Sequence, residues 1–71
     1  MSQHPSRSDD FERLAEALSR MPRAVRIAFL LHARRGLSFE QIAARLHVSR
    51  RRVRRYFIVA IRHIDQVWRE P

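Results

Sequence analysis

Residues 37–56 read Leu37-Ser38-Phe39-Glu40-Gln41-Ile42-Ala43-Ala44-Arg45-Leu46-His47-Val48-Ser49-Arg50-Arg51-Arg52-Val53-Arg54-Arg55-Tyr56. Two helix starts are written here in the same way. Ser38 stands as an N-cap with Gln41 three residues on, the spacing of a capping box, and Leu37 and Ile42 bracket it as a hydrophobic staple. Ser49 caps a second helix, and Val48 with Val53 repeat the staple. The spacing predicts a short helix over 39–46, a tight turn, and a further helix from Arg50. Two helices joined so closely pack at a steep angle only if the inward positions are apolar and one is small. Ile42, Leu46, Val48, Val53 and Tyr56 fill the inward positions, and Ala43 occupies the one where the helices cross too closely for more. His47 stands where such a turn usually has glycine because φ is positive, and His is among the residues that tolerate it. The stretch reads as a helix-turn-helix.

Working outward, Gly36 is the only glycine and the natural left-handed stop of a preceding helix, with Arg34 and Arg35 in its last turn. That helix opens at Pro22, which suits a first helical position. Its Val25, Ile27, Ala28, Phe29, Leu30 and Leu31 cover more than one face, which predicts that it is the buried centre. Further upstream, Asp9 and Glu12 have capping-box spacing, and Phe11, Leu14, Ala15 and Leu18 repeat at helical intervals. Residues 1–7 read as a disordered lead-in or linker remnant, leaving 8–71 as the domain. Downstream, the last helix should reach about Arg69, roughly 30 Å at 1.5 Å per residue. Its core stripe is expected to be Val53, Phe57, Ala60, Ile61, Ile64 and Trp68, with Ile58 at the edge. Val59 is expected on the opposite side with Arg55, Arg62 and Gln66. No strand pattern or repeat is present. The fold class is all-α: four helices, a C-terminal helix-turn-helix and a long last helix.

The totals narrow the function. A chain of 71 residues makes one domain, which buries only about 60% of its unfolded surface and leaves little room for a catalytic cleft. With no cysteine there is no disulfide framework or thiolate metal site. The apolar runs Ile27–Leu31 and Phe57–Ile61 fall far short of the ~20 residues of a membrane span, and the polar N-terminus is unlike a signal peptide. A cytoplasmic, bacterial setting is expected. His4, His32, His47 and His63 lack metal-ligand spacing, and no Ser, His and Asp arrangement suggests nucleophilic catalysis. No catalytic residue, metal, cofactor, small-molecule substrate or membrane partner is expected.

Charge supplies the positive indication. The net charge is +8, and all fifteen basic residues are arginine, which points to a polyanionic partner, nucleic acid before membrane. Five arginines, Arg50, Arg51, Arg52, Arg54 and Arg55, crowd the head of the last helix. Three sit in its first turn, at the positive end of the helix dipole, where each costs a few tenths of a kcal/mol. Arg50/Arg54 and Arg51/Arg55 add like-charged i,i+4 pairs. An anion docked on this turn removes the conflict, because phosphate is favoured by helix N-termini and by arginine alike. Ser49 and the five arginines are therefore the candidate DNA-binding residues, with Arg23 and Ser38 as candidate peripheral phosphate contacts.

Met21-Pro22-Arg23-Ala24-Val25-Arg26-Ile27-Ala28-Phe29-Leu30-Leu31, Gly36-Leu37-Ser38-Phe39-Glu40-Gln41-Ile42-Ala43-Ala44-Arg45-Leu46 and Val48-Ser49 resemble the C-terminal domain, region 4, of extracytoplasmic-function sigma factors, the iron-transport subgroup above all. The likeness runs from about Phe11 to Ile64. It implies binding of double-stranded promoter DNA at the −35 element, docking on the β-flap of RNA polymerase, and control by an anti-sigma protein. The sigma domain that melts and reads the −10 element is not in the sequence. The chain is therefore expected to be an excised domain or a stand-alone relative. Phe11, Leu14, Leu18, Ile58 and Val59 are candidates for a protein interface: Phe11, Leu14 and Leu18, with Phe29 and Leu30, for a groove that accepts the polymerase flap, and the apolar second half of the last helix, Ile58 to Trp68, for a dimer surface. Response-regulator output domains share part of the pattern. An autonomous dimeric helix-turn-helix regulator and a pure interaction module for polymerase or an anti-sigma factor remain as alternatives.

Overall fold

The computed structural model describes residues 7–71 as four helices: α1 (Arg7–Arg20), α2 (Arg23–Arg35), α3 (Phe39–Leu46) and α4 (Arg50–Arg69). Among the described residues there is no strand, and no helix is long and apolar enough to cross a membrane.

The N-caps of α3 and α4 and the left-handed stops of α2 and α3 sit where the sequence places them. Ser38 Oγ accepts the Gln41 N–H at 3.1 Å, while Gln41 Oε1 accepts the Ser38 N–H at 2.9 Å. Both bonds of the capping box are therefore made. Gly36 ends α2 with φ +68°, and its N–H donates to the His32 carbonyl at 2.9 Å. His47 ends α3 in the left-handed region at φ 58°. Its N–H donates to the Ala44 carbonyl, and the Val48 N–H donates to the Ala43 carbonyl. This pair of bonds is a Schellman closure. A histidine takes the glycine position, and the turn still satisfies its carbonyls.

The core falls into two clusters along α4. Ala28, Ile42, Ala43, Val53 and Phe57 join α2, α3 and the first half of α4. Ala17, Met21, Val25, Ala60 and Val67 join α1, the start of α2 and the second half. Phe29 and Tyr56 pack against both. The centre of the fold is thus α4, which packs on each of the other three helices, and not α2, whose Ile27, Leu30 and Leu31 stay half exposed.

Other boundaries and registers change as well. The first six residues of the predicted lead-in lie outside the described residues, and its seventh, Arg7, opens α1. Asp9 therefore lies inside the first turn, where its charge suits the dipole, and is not the cap. Pro22 is the N-cap of α2, with φ −56° and ψ 151°, and Arg23 is the first helical residue. On α1 the covered positions are Leu14, Ala17 and Leu18, followed by Met21 just past its end, while Ala15 and Phe11 are exposed. On α4 the covered stripe is Val53, Phe57, Ala60, Ile64 and Val67. Ile61 and Trp68 are exposed, and Val59 packs half-buried on the second cluster.

One ion pair closes the far end. Arg20 holds Glu70 through two bonds, at 2.7 and 3.2 Å, and Glu16 through a third at 3.1 Å. The guanidinium hydrogen bonds from Arg20 hold the Glu70 carboxyl below its ordinary value. With the folded pKa depressed, the pair stabilises the fold above the unfolded glutamate pKa and stops doing so as pH falls through the folded one. Glu70→Gln should lower the melting temperature at pH 7, and the difference from wild type should vanish near pH ~3. An equal deficit at both pH values would assign the effect to something other than the charge.

The crossing of α3 and α4 gives a second check. Ala43 is 7% exposed inside the first cluster, whereas its neighbour Ala44 faces solvent. Ala43→Leu should destabilise by ~1–3 kcal/mol through overpacking, and Ala44→Leu should leave thermal melting within a degree or two of wild type.

Candidate nucleic-acid interface

The head of α4 is built by its cap and its aromatic footing. Ser49 takes an extended conformation, φ −78° and ψ 158°, and its Oγ accepts the Arg52 N–H at 3.0 Å. The Ser49 carbonyl accepts from Val53 at 3.1 Å, which starts the helical ladder. Val53 is fully buried, and this fixes the rotation of the first turn. Arg50, Arg51, Arg52, Arg54 and Arg55 all project into solvent. Sequence reasoning grouped these five with Ser49, and the fold brings them together.

A seventh residue lies beside them. Phe39, first in α3, lines a notch of about 210 Å³ with Arg50, Arg51 and Arg54. Its ring stacks on Phe57, centroids 4.6 Å apart and planes 22° apart, so the notch has a rigid apolar edge under three guanidinium groups. The sequence held a weak signal for it: Phe39 follows the cap of α3 directly, and a tight turn brings the starts of both helices to one side. Arg52 and Arg55 lie outside the notch.

The electrostatics leave this head positive. There is no acidic residue in the first turn of α4 and none between Gln41 and Ile64. The ion pairs of the described residues lie at the other end, where Glu16, Arg20 and Glu70 meet and Asp65 holds Arg69 at 2.8 Å. Such an uncompensated cluster can hold a polyanion, with arginine suited to bidentate recognition of phosphate or guanine.

The other candidates separate from the head. Arg23 is exposed at the end of α2 whose neighbours Met21 and Val25 pack on the second half of α4. Ser38 caps α3 and is exposed, next in the chain to the notch residue Phe39 but not among the residues lining the notch. Phe11, at 74% exposure, and Ile58 are open to solvent, while Leu14 is half-buried and Leu18 and Val59 are half-buried against the second cluster.

The helix-turn-helix and its arginine head fall within a family match. The family described as Sigma-70, region 4, matches residues 11–57, from α1 through the aromatic footing of α4. The chain belongs to the sigma-70 region 4 family. No curated protein and no solved structure gives a further match. Region 4 domains are DNA-binding regulatory modules that take part in promoter −35 binding and in interaction with RNA polymerase.

Region 4 binding by this head should be strongly salt-dependent. If four of the five arginines neutralise phosphates, log affinity for duplex should fall with log salt at a slope of about −3 to −4. Each Arg→Ala that removes a phosphate contact should make the slope shallower by about one. Fluorescence anisotropy across a salt series measures both, and a slope near zero would remove the arginines from the interface.

Proposed function

We propose that residues 49–55 read the promoter −35 element for a sigma factor of the extracytoplasmic-function type, iron-transport subgroup. The observation that carries this reading is the arginine head itself. Five exposed arginines stand at the positive end of a capped helix with no acidic residue near them in the chain. Stability alone favours acidic residues there, and a DNA backbone supplies the missing negative charge. Ser49 and Arg52 set the first turn, and Arg50, Arg51 and Arg54 face one groove edge around Phe39. Ser38 and Arg23 serve as outlying phosphate contacts. The subgroup assignment rests on the residue pattern of 21–49.

The polymerase partner is the β-flap, and a groove beside the helix-turn-helix suits it. Ile27, Leu30 and Leu31 of α2 form its apolar floor, and Arg34, Arg35 and Arg45 its rim, around about 480 Å³. An amphipathic segment with acidic flanks matches that lining. A reader tethered to polymerase in this way needs little affinity of its own, because the tether supplies the effective concentration.

Selection of bound sequences from random duplex DNA, with and without polymerase, tests the reading, together with titration of a β-flap peptide. The domain alone should bind duplex with a Kd of about micromolar or weaker. Leu30→Glu should weaken flap binding about tenfold while leaving duplex binding intact. Nanomolar grip on a palindromic site by a dimer that ignores the flap would establish the autonomous regulator instead.

A further inference from the structure

Two series of residues run down α4, and only one is covered. Val53, Phe57, Ala60, Ile64 and Val67 recur at alternating steps of four and three and face the other helices. Arg51, Arg54, Ile58, Ile61, Asp65 and Trp68 recur at alternating steps of three and four, the spacing of a coiled-coil seam. Every member of this second series is exposed, Ile61 at 61%. Phe11 extends its apolar surface, sharing a shallow hollow with Trp68, Leu14 and Asp10. The family match ends at Phe57, so the apolar members of the seam lie beyond it.

We propose that this seam is the contact face of a homodimer, in which α4 packs antiparallel on α4 of a second copy about a two-fold axis between Val59 and Ala60. The order of the residues argues for a second copy over any other occupant, because the seam is complementary to itself. In this register Ile58 meets the second copy's Ile61, Arg54 meets its Asp65, and Arg51 lies over its Trp68. The symmetry makes each of these contacts twice. The centre is apolar, the next layer pairs opposite charges, and the outer layer sets a guanidinium on an indole face. A parallel pairing would oppose Arg54 to Arg54 and Asp65 to Asp65, so the charges select the antiparallel direction. Asp65 holds Arg69 through Oδ2, and its second carboxylate oxygen remains available to an arginine across the axis.

The association is weak, for two reasons. The seam offers six residues a side, whereas standard interfaces use about 20–30. Each copy also carries a net charge of +8, with Arg55 and Arg62 flanking the seam. Salt screens this mutual repulsion, so pairing should persist at salt concentrations that strip the protein from DNA. Arg51 and Arg54 belong to both surfaces. On the reading of the α4 head proposed above, a paired domain therefore cannot hold DNA, and DNA cannot be held without separating the pair.

Sedimentation equilibrium of the full chain from about 20 µM to 1 mM tests this, with circular dichroism confirming that each variant is folded. Wild type should pass from monomer to dimer over that range. Arg54→Asp and Asp65→Arg should each weaken association by about tenfold or more, since each turns both cross pairs into like charges. Mixed in equal amounts, the two variants should associate again, because each cross pair is then opposite in sign. A wild-type monomer throughout, or a mixture no better than its components, would overturn the dimer. Labelled duplex separates the two proposals. Asp65→Arg, far from the arginine head, should still bind duplex as a monomer. If it does not while the charge swap behaves as stated, the DNA reading falls and the dimer stands. A wild-type dimer that persists intact on saturating duplex would overturn the mutual exclusion.

Discussion

The arrangement of the whole domain turns on one aromatic ring. Phe57 lies at the middle of α4, with Phe39 stacked on it from α3, His32 edge-on at 5.4 Å and Phe29 tilted at 6.4 Å from α2. Each such pair is worth ~0.5–1.5 kcal/mol beyond the area it buries. His32 is itself fixed, because its Nδ1 donates to the Leu37 carbonyl at 2.9 Å across the loop that leads to α3. The ring therefore sets the end of α2, the start of α3 and the rotation of α4 together. Fully buried alanines, Ala28 beside it and Ala17 and Ala60 further along, let the helix backbones come close enough for that contact.

This footing explains how α4 can carry a head that opposes its own stability. Like charges in its first turn weaken the helix start by local terms of a few tenths of a kcal/mol each. Burial of Val53 and Phe57 a turn or two later outweighs them, at ~1.5–3 kcal/mol for each large side chain covered. At the other end, Arg69 suits the dipole and Arg20 ties Glu70 to α1. The helix is held at its middle and its tail. Its first turn is left free to be chosen for an anionic partner.

How much of this was legible in the sequence depends on whether a signal was local. Caps and stops are local: Ser38 with Gln41, Gly36, His47 and Ser49 each act on amides or carbonyls within a few residues, and all were readable. The choice of Ala43 as the crossing position followed from the same short stretch. Which stripe of a helix is covered is not local. Past Phe57, α4 carries apolar residues on two seams, and periodicity alone points to Ile61 and Trp68 as covered, whereas Val67 and Val59 pack on the second cluster. Only the position of α1 decides between them, and that is set by Ala17 and Met21, which lie roughly fifty residues from Trp68 in the sequence. The same limit made α2 look central. Its apolar residues cover more than one face, but one face borders an open groove rimmed by Arg34, Arg35 and Arg45. Phe39 was missed at the candidate site because its role arises from contact with α4, not from its place in α3.

The exposed second seam and the arginine head belong to one helix, and this ties two properties that need not otherwise be linked. Any change in the rotation of α4 that buries Ile58 and Ile61 against α1 would also turn Arg51 and Arg54 inward, since they lie on the same line of the helix. Presenting those arginines to a groove therefore leaves the isoleucines below them uncovered. The exposed apolar line is thus a geometric consequence of a long helix that carries aliphatic residues on the same outer line as the arginines. Substituting polar residues at Ile58 and Ile61 would remove it at little cost to the core, which both side chains leave untouched. Folding therefore does not require aliphatic side chains at these two positions, and the pairing proposed above is the contact that would use them.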